Sequence, residues 1–258
     1  MLKLNAYQLK WIAIIGMFLN HAVYAWEEVL PLGVMVVLYA FGGLTFPILA
    51  YFVVEGYRHT SNLKRYILRL LIFGVIAVPL HMMVFGGFGI NILFTIILSL
   101  CFLKLYDTIK IRALFWIVFV IINIITVILF IDWFIIGPIV VLLYHIIKNE
   151  NARRIVPGIV AGVLWLGLLL FLLVSMLGVY STGGAEALAA LEAMAFSLDI
   201  VYASLSFFIG CFAAAYLIKN FNGERGKKMK WTFYVAYPVH FIILIVVGVA
   251  LGIMSFGF

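Results

Sequence analysis

Three histidines stand inside long apolar stretches of the chain: His21, His81 and His240. An ionisable side chain within a membrane is costly, so each is a starting hypothesis for function. His21 is the most informative. It follows Lys10 by eleven residues, which on an α-helix is three turns plus about 20° and a rise of about 16 Å, so the two side chains share one face. A neutral imidazole shielded from water is a suitable general base near neutral pH. Asn20, beside it, offers an amide to the imidazole or to a developing oxyanion. A polar ring at such a position also serves simple packing, and the lysine on the same face favours catalysis. His240 follows Tyr237 and Pro238; the proline is expected to kink the last apolar stretch and free a backbone carbonyl at mid-depth, which puts Tyr237 and His240 where they can line the same cavity. His81 lies near the end of the third stretch. Glu55, followed by Gly56 and Arg58, is placed to pair with Arg58 or Arg69 or to hold a substrate amine. Asp132, before Trp133, is a polar turn or a cavity residue.

These side chains sit in a chain that water alone could not keep folded. Of its 258 residues 67% are hydrophobic and 10% charged, and the mean hydropathy is +1.26. Soluble domains carry roughly half and a quarter, respectively. A soluble enzyme, a disordered chain and a disulfide scaffold are excluded. Cys101 and Cys211 both fall in apolar runs and read as small buried residues. No Gly-rich phosphate loop, HExxH zinc spacing or GxSxG elbow is present, and no metal is expected.

The elements that must position the polar groups are membrane-spanning helices, since the apolar runs lack the alternation of a membrane barrel. The fold class expected is all-α, a polytopic transmembrane bundle with about nine spans (about eight to ten). These lie near 9–26, 33–55, 66–85, 90–105, 113–131, 133–147, 157–180, 200–218 and 232–256, in one domain covering 1–258. With the N-terminus inside, all 17 Lys and Arg residues fall in cytoplasmic segments, while Glu27, Glu28, Asp132, Glu186, Glu192 and Asp199 fall opposite. That is the positive-inside pattern. The net charge of +7 is therefore a topology signal, and nucleic acid is not expected as a partner. The segment 181–199 reads as an extracytoplasmic amphipathic helix on the membrane surface, placed to act as a lid. Membrane lipids are the expected surroundings. Mid-membrane His and Glu residues are also what a proton-coupled transporter or lipid flippase uses, and that alternative stays open here, although no inverted repeat is evident.

The run FPILAYFVVEGYRHTSNLKRYILRLLIFG (Phe46–Gly74) resembles the TraX family, as do NILFTIILSL (Asn91–Leu100), Asp132–Pro138 and YPVHFIIL (Tyr237–Leu244). The opening LKWIAIIGMFLNHA (Leu9–Ala22) also resembles the first helix of the family-3 membrane acyltransferases, where a basic residue and a histidine have this separation. The likeness covers almost the whole chain and is weakest over 155–230. It implies a bacterial inner-membrane acetyltransferase. Acetyl-CoA would enter from the cytosol, and the acetyl group would pass to an extracytoplasmic acceptor such as a pilin N-terminus, a glycan or a lipid. His21 matches the catalytic histidine and Lys10 the basic residue. Glu55, Arg58 and Arg69 match family motif positions. The chain departs from the family pattern where Asn20 replaces an aspartate, Gly43 an arginine and His81 an aspartate.

Together these readings set the expected site. His21 and Asn20 are catalytic. Lys10, Arg58, Lys64, Arg65 and Arg69 bind the CoA phosphates through charge-assisted hydrogen bonds. Glu55, His81, Asp132, Tyr237 and His240 line the substrate cavity.

Overall fold

A computed structural model describes residues 3–86, 89–168, 170–171, 198–228 and 231–254. The surface helix expected over 181–199 lies almost wholly outside them. Among the described residues there are nine helices: α1 (Ala6–Trp26), α2 (Leu32–His59), α3 (Leu63–Phe85), α4 (Ile92–Thr108), α5 (Arg112–Ile128), α6 (Ile136–Ile146), α7 (150–168), α8 (Leu198–Lys219) and α9 (Thr232–Ala250). Four of them, α2, α3, α8 and α9, are long and apolar enough to cross a membrane; α5 and α6 are apolar but shorter. Between α5 and α6 the chain breaks helix over residues 129–135.

Local chemistry sets the helix ends. Asn5 and Gln8 form a capping box on α1, each backbone N–H donating to the other's side-chain oxygen at 3.0 Å. Asn62 accepts from the Arg65 N–H at 2.9 Å. Gly86 ends α3 in the left-handed region (φ 69°) and donates to the Met82 carbonyl. Buried Asn91 caps α4 and donates to the Gly74 carbonyl at 2.9 Å, fastening α4 to α3. Pro47, Pro79 and Pro238 all sit inside helices, as membrane helices tolerate.

Helix α2 is central. It packs on α1 and α8, while α9 closes against α1 and α3, and α4 bridges α3 and α6. The α2–α8 crossing is tight enough to bring Gly43 and Gly210 backbone to backbone. A Cβ on Gly43 would meet the Phe207 carbonyl and the Cys211 amide, and one on Gly210 the Ala40 carbonyl. Small residues let membrane helices approach this closely. The same crossing leaves no space for a side chain at Gly43.

Two loop pairings tie the helix ends. At the face where α1 begins, Leu4 bridges Phe221, the Asn222 amide donates to Leu4 at 2.9 Å and the Ala6 amide to Glu224 at 2.8 Å. At the opposite face Ile90 bridges Ile131. There the Asp132 amide donates to the Ile90 carbonyl at 2.8 Å, and Thr95 Oγ1 donates to the Asp132 carbonyl. The turn so held carries two residues in left-handed conformation, Phe130 (φ 48°) and Trp133 (φ 58°). Neither is glycine, and such backbone persists only where its surroundings over-determine it.

Candidate functional site

Within α1, Lys10 and His21 do lie along one side of a continuous helix, and each lines a different cavity. The first cavity, about 270 Å³, opens near the start of α1. Its polar rim is Lys10, Arg69, Arg225 and Lys227, and Phe52, Phe233 and Tyr234 supply aromatic wall. The second, about 360 Å³, holds Asn20, His21, Tyr24 and Asp132 together with Trp133 and Trp165. Met17, Leu49 and Ile92 line both. The two cavities therefore adjoin across these three apolar residues, of which Met17 lies one turn from His21 along α1. Lys10 to His21 spans about 16 Å of helix.

The polar rim is built from three parts of the chain. Lys10 Nζ rests 4.9 Å from the Phe52 ring centre and 5.0 Å from that of Phe233, a cation–π seat. Arg69 Nε donates to the Tyr234 hydroxyl at 3.2 Å. Arg225 and Lys227 belong to the loop strapped to residues 4–6, with Gly226 in left-handed conformation (φ 65°) beside Asn5 and Tyr7. The sequence reading missed this pair. The signal was there in the Gly-Glu-Arg-Gly-Lys-Lys run, but nothing local says that the run folds back over α1.

Around His21 the polar groups converge. Its Nδ1 lies 2.6 Å from Nε2 of His240. Phe241 stacks on the His21 ring (5.1 Å, 11°) and Phe85 meets it edge-on (5.3 Å, 87°). His81, buried, has Nε2 3.1 Å from Asp132 Oδ2. Its ring touches the same Phe85 and Phe241. Thus His21, His81, His240 and Asp132, drawn from α1, α3, α9 and the α5–α6 turn, share one aromatic frame. Trp133 stacks on Phe46 (4.1 Å, 20°) and packs with Trp165 and Phe207 as an aromatic wall of the second cavity. Tyr237 is buried and lines the first cavity. Asn20 lines the second, but its Oδ1, buried and without a hydrogen-bond partner among the described residues, faces Gly42.

Other expected site residues lie elsewhere. Lys64 and Arg65 are exposed and line neither cavity. Arg58 donates to the His145 carbonyl at 3.0 Å and turns away from the rim. Glu55 takes Arg153 as its close partner at 2.8 Å, with Arg58 at 3.6 Å. Arg153 is itself buried and pairs with Glu150 at 2.5 Å, and Glu150 also holds Arg154 at 2.7 Å. This is an ion network tying α2 to α7. It sits apart from His21, and Glu55 lines neither cavity. Among the described residues no three His, Cys, Asp or Glu side chains are placed to hold a metal ion.

Comparison with known proteins follows the same outline. The profile of the TraX family, described as TraX protein, matches residues 5–248. A probable fimbrial assembly protein FimC, serogroup H1, of Dichelobacter nodosus is 28% identical over 266 aligned positions, covering 93% of this chain and 94% of that protein. No solved structure matches.

Proposed function

The chain belongs to the TraX family, and from that premise we propose that it is an integral-membrane acetyltransferase of the bacterial inner membrane that takes acetyl groups from cytosolic acetyl-CoA. The acceptor in this reading is extracytoplasmic. The name of the Dichelobacter relative favours a fimbrial subunit, through its N-terminal amine, over a glycan or lipid group.

The observation that carries the proposal is the pair of cavities adjoining across Met17, Leu49 and Ile92, with cations in one and His21 in the other; in this reading those three residues are the neck of one passage. Coenzyme A has the matching shape: a phosphate-rich nucleotide, then a slender arm ending in the thioester. Lys10, Arg69, Arg225 and Lys227 suit the phosphates. The arm would pass the neck and bring the thioester carbonyl to His21. The acceptor nitrogen or oxygen attacks that carbonyl while the His21 imidazole takes its proton. The carbon–sulfur bond then breaks, and the thiolate leaves with a proton in exchange. Water is kept from the thioester by the aromatic wall of Phe46, Trp133, Trp165 and Phe207. The acceptor would enter beside Tyr24 and Asp132, at the end of the second cavity away from the neck.

The test uses the full chain in lipid vesicles supplied with radiolabelled acetyl-CoA on the side where α1 begins, and envelope material on the other. The wild type should label envelope components, and His21→Ala should not, with both inserted equally. Undiminished labelling by His21→Ala would remove the reading. A carrier of small molecules would show neither labelling nor binding of CoA.

A further inference from the structure

The ring nitrogens of His21 and His240 can be assigned their protons from the contacts at the other end of the pair. Nδ1 of His240 lies 3.3 Å from the carbonyl oxygen of Ala236, one turn earlier in α9. A carbonyl only accepts, so this nitrogen carries the proton. A neutral imidazole has one N–H, so Nε2 of His240 presents a lone pair. That lone pair faces Nδ1 of His21 at 2.6 Å. Two lone pairs do not meet at that distance, so His21 is protonated at Nδ1 and bare at Nε2.

We infer that His240 is a positioning residue, which holds His21 in the Nδ1–H tautomer and leaves Nε2 as the atom that accepts the proton. Phe241 and Phe85 fix the plane of the ring, while His240 fixes its protonation pattern. When Nε2 takes a proton, the His21 N–H still donates to His240, whose own N–H donates to Ala236. The new charge is shared along a chain of donors that ends on a backbone carbonyl. This is the task a carboxylate performs in a Ser-His-Asp triad, here given to a neutral ring supplied by the last helix. Asn20, adjacent in sequence, does not do it, since its amide faces Gly42.

The consequence for turnover rests on the acetyltransferase reading, but the tautomer does not. Nitrogen NMR of the full chain in lipid, with ¹⁵N-labelled histidine and His21→Ala to identify the His21 signals, reads the two nitrogens directly. The wild type should show a protonated Nδ1 and a bare Nε2. In His240→Leu the ring should revert to the Nε2–H form that free imidazole side chains prefer. In acetyl-CoA assays with envelope material, His240→Leu should lower kcat about 100-fold, the scale of lost acid–base assistance. It should leave the KM for acetyl-CoA within about twofold. His240→Gln, whose amide oxygen can still accept, should restore most of the rate. A wild-type His21 protonated at Nε2 overturns the inference even if no variant folds. So does an equal loss in the Gln and Leu variants, or a loss carried by KM. Full activity in His21→Ala with the NMR result intact would instead remove the acetyltransferase reading and leave the tautomer standing.

Discussion

Charge removal around the first cavity separates two accounts of where a phosphate-bearing substrate docks. The sequence points to Lys10 with the basic run 58–69, whereas the structure gathers Lys10 and Arg69 with Arg225 and Lys227. Lys10 is half-buried between two rings, so a phosphate bonded to it is shielded from solvent. A charge-assisted hydrogen bond of that kind contributes about 1.5–3 kcal/mol. At about 1.4 kcal/mol per tenfold, Lys10→Met should weaken CoA binding about 10- to 150-fold. Arg69→Met should fall in the lower part of that range, because Tyr234 competes for its guanidinium. Arg225 and Lys227 are exposed, and screening by solvent and salt reduces each to about 0.2–1 kcal/mol, a change of about fivefold or less. Lys64→Ala and Arg65→Ala should leave binding unchanged. The assay is calorimetric titration of the solubilised full chain with CoA, with pantetheine, which lacks the phosphates, as the control that no variant should affect. The reasoning fails if Lys64→Ala or Arg65→Ala costs as much as Lys10→Met, or if the pantetheine affinity falls in parallel.

Filling the neck with Leu49→Trp should abolish acetyl transfer while leaving CoA binding at the rim largely intact, separable by comparing turnover with titration. Adding a side chain at the α2–α8 crossing with Gly210→Val should destabilise by about 1–3 kcal/mol through overpacking, seen as a lower thermal midpoint in detergent. Arg153→Met removes the 2.8 Å partner of Glu55, which keeps Arg58 at 3.6 Å, and should cost about 1.5–3 kcal/mol, the scale of one charge-assisted hydrogen bond. Glu55→Gln, which leaves no unpaired carboxylate, should cost less in the same melting experiment, and neither should change which nitrogen of His21 is protonated.

What was legible in the sequence was what local geometry decides. Lys10 and His21 share a helix face because 3.6 residues per turn puts them there, whatever the rest of the chain does. The all-helical architecture follows from apolar run length in the same way. Partners set by distant segments were not legible. The sequence offers Glu55 either Arg58 or Arg69, while its close partner is Arg153, which α7 delivers from 98 residues away. Arg225 and Lys227 reach the rim because Phe221 bridges Leu4, a pairing that no periodicity encodes. His21 and His240 are 219 residues apart. Asn20 was read as a partner for its neighbour, but successive residues on a helix point about 100° apart, and that rotation carries its amide to Gly42.

The bridge from Leu4 to Phe221 also bears on how this protein can be handled. Residues 4–6 form one side of the strap that carries Arg225 and Lys227, and the Leu4 amide itself donates to Asn220 at 3.2 Å. A fusion partner or affinity tag joined directly ahead of Leu4 pulls on that strap, and through it on the cationic rim. If the rim holds CoA as proposed, a tag placed there would weaken its capture while leaving His21 in place, and so counterfeit a binding-site mutation. Reporter groups belong beyond α9, where the Ile253 and Met254 amides fold back on the Gly248 carbonyl and, among the described residues, no contact ties them to the rim.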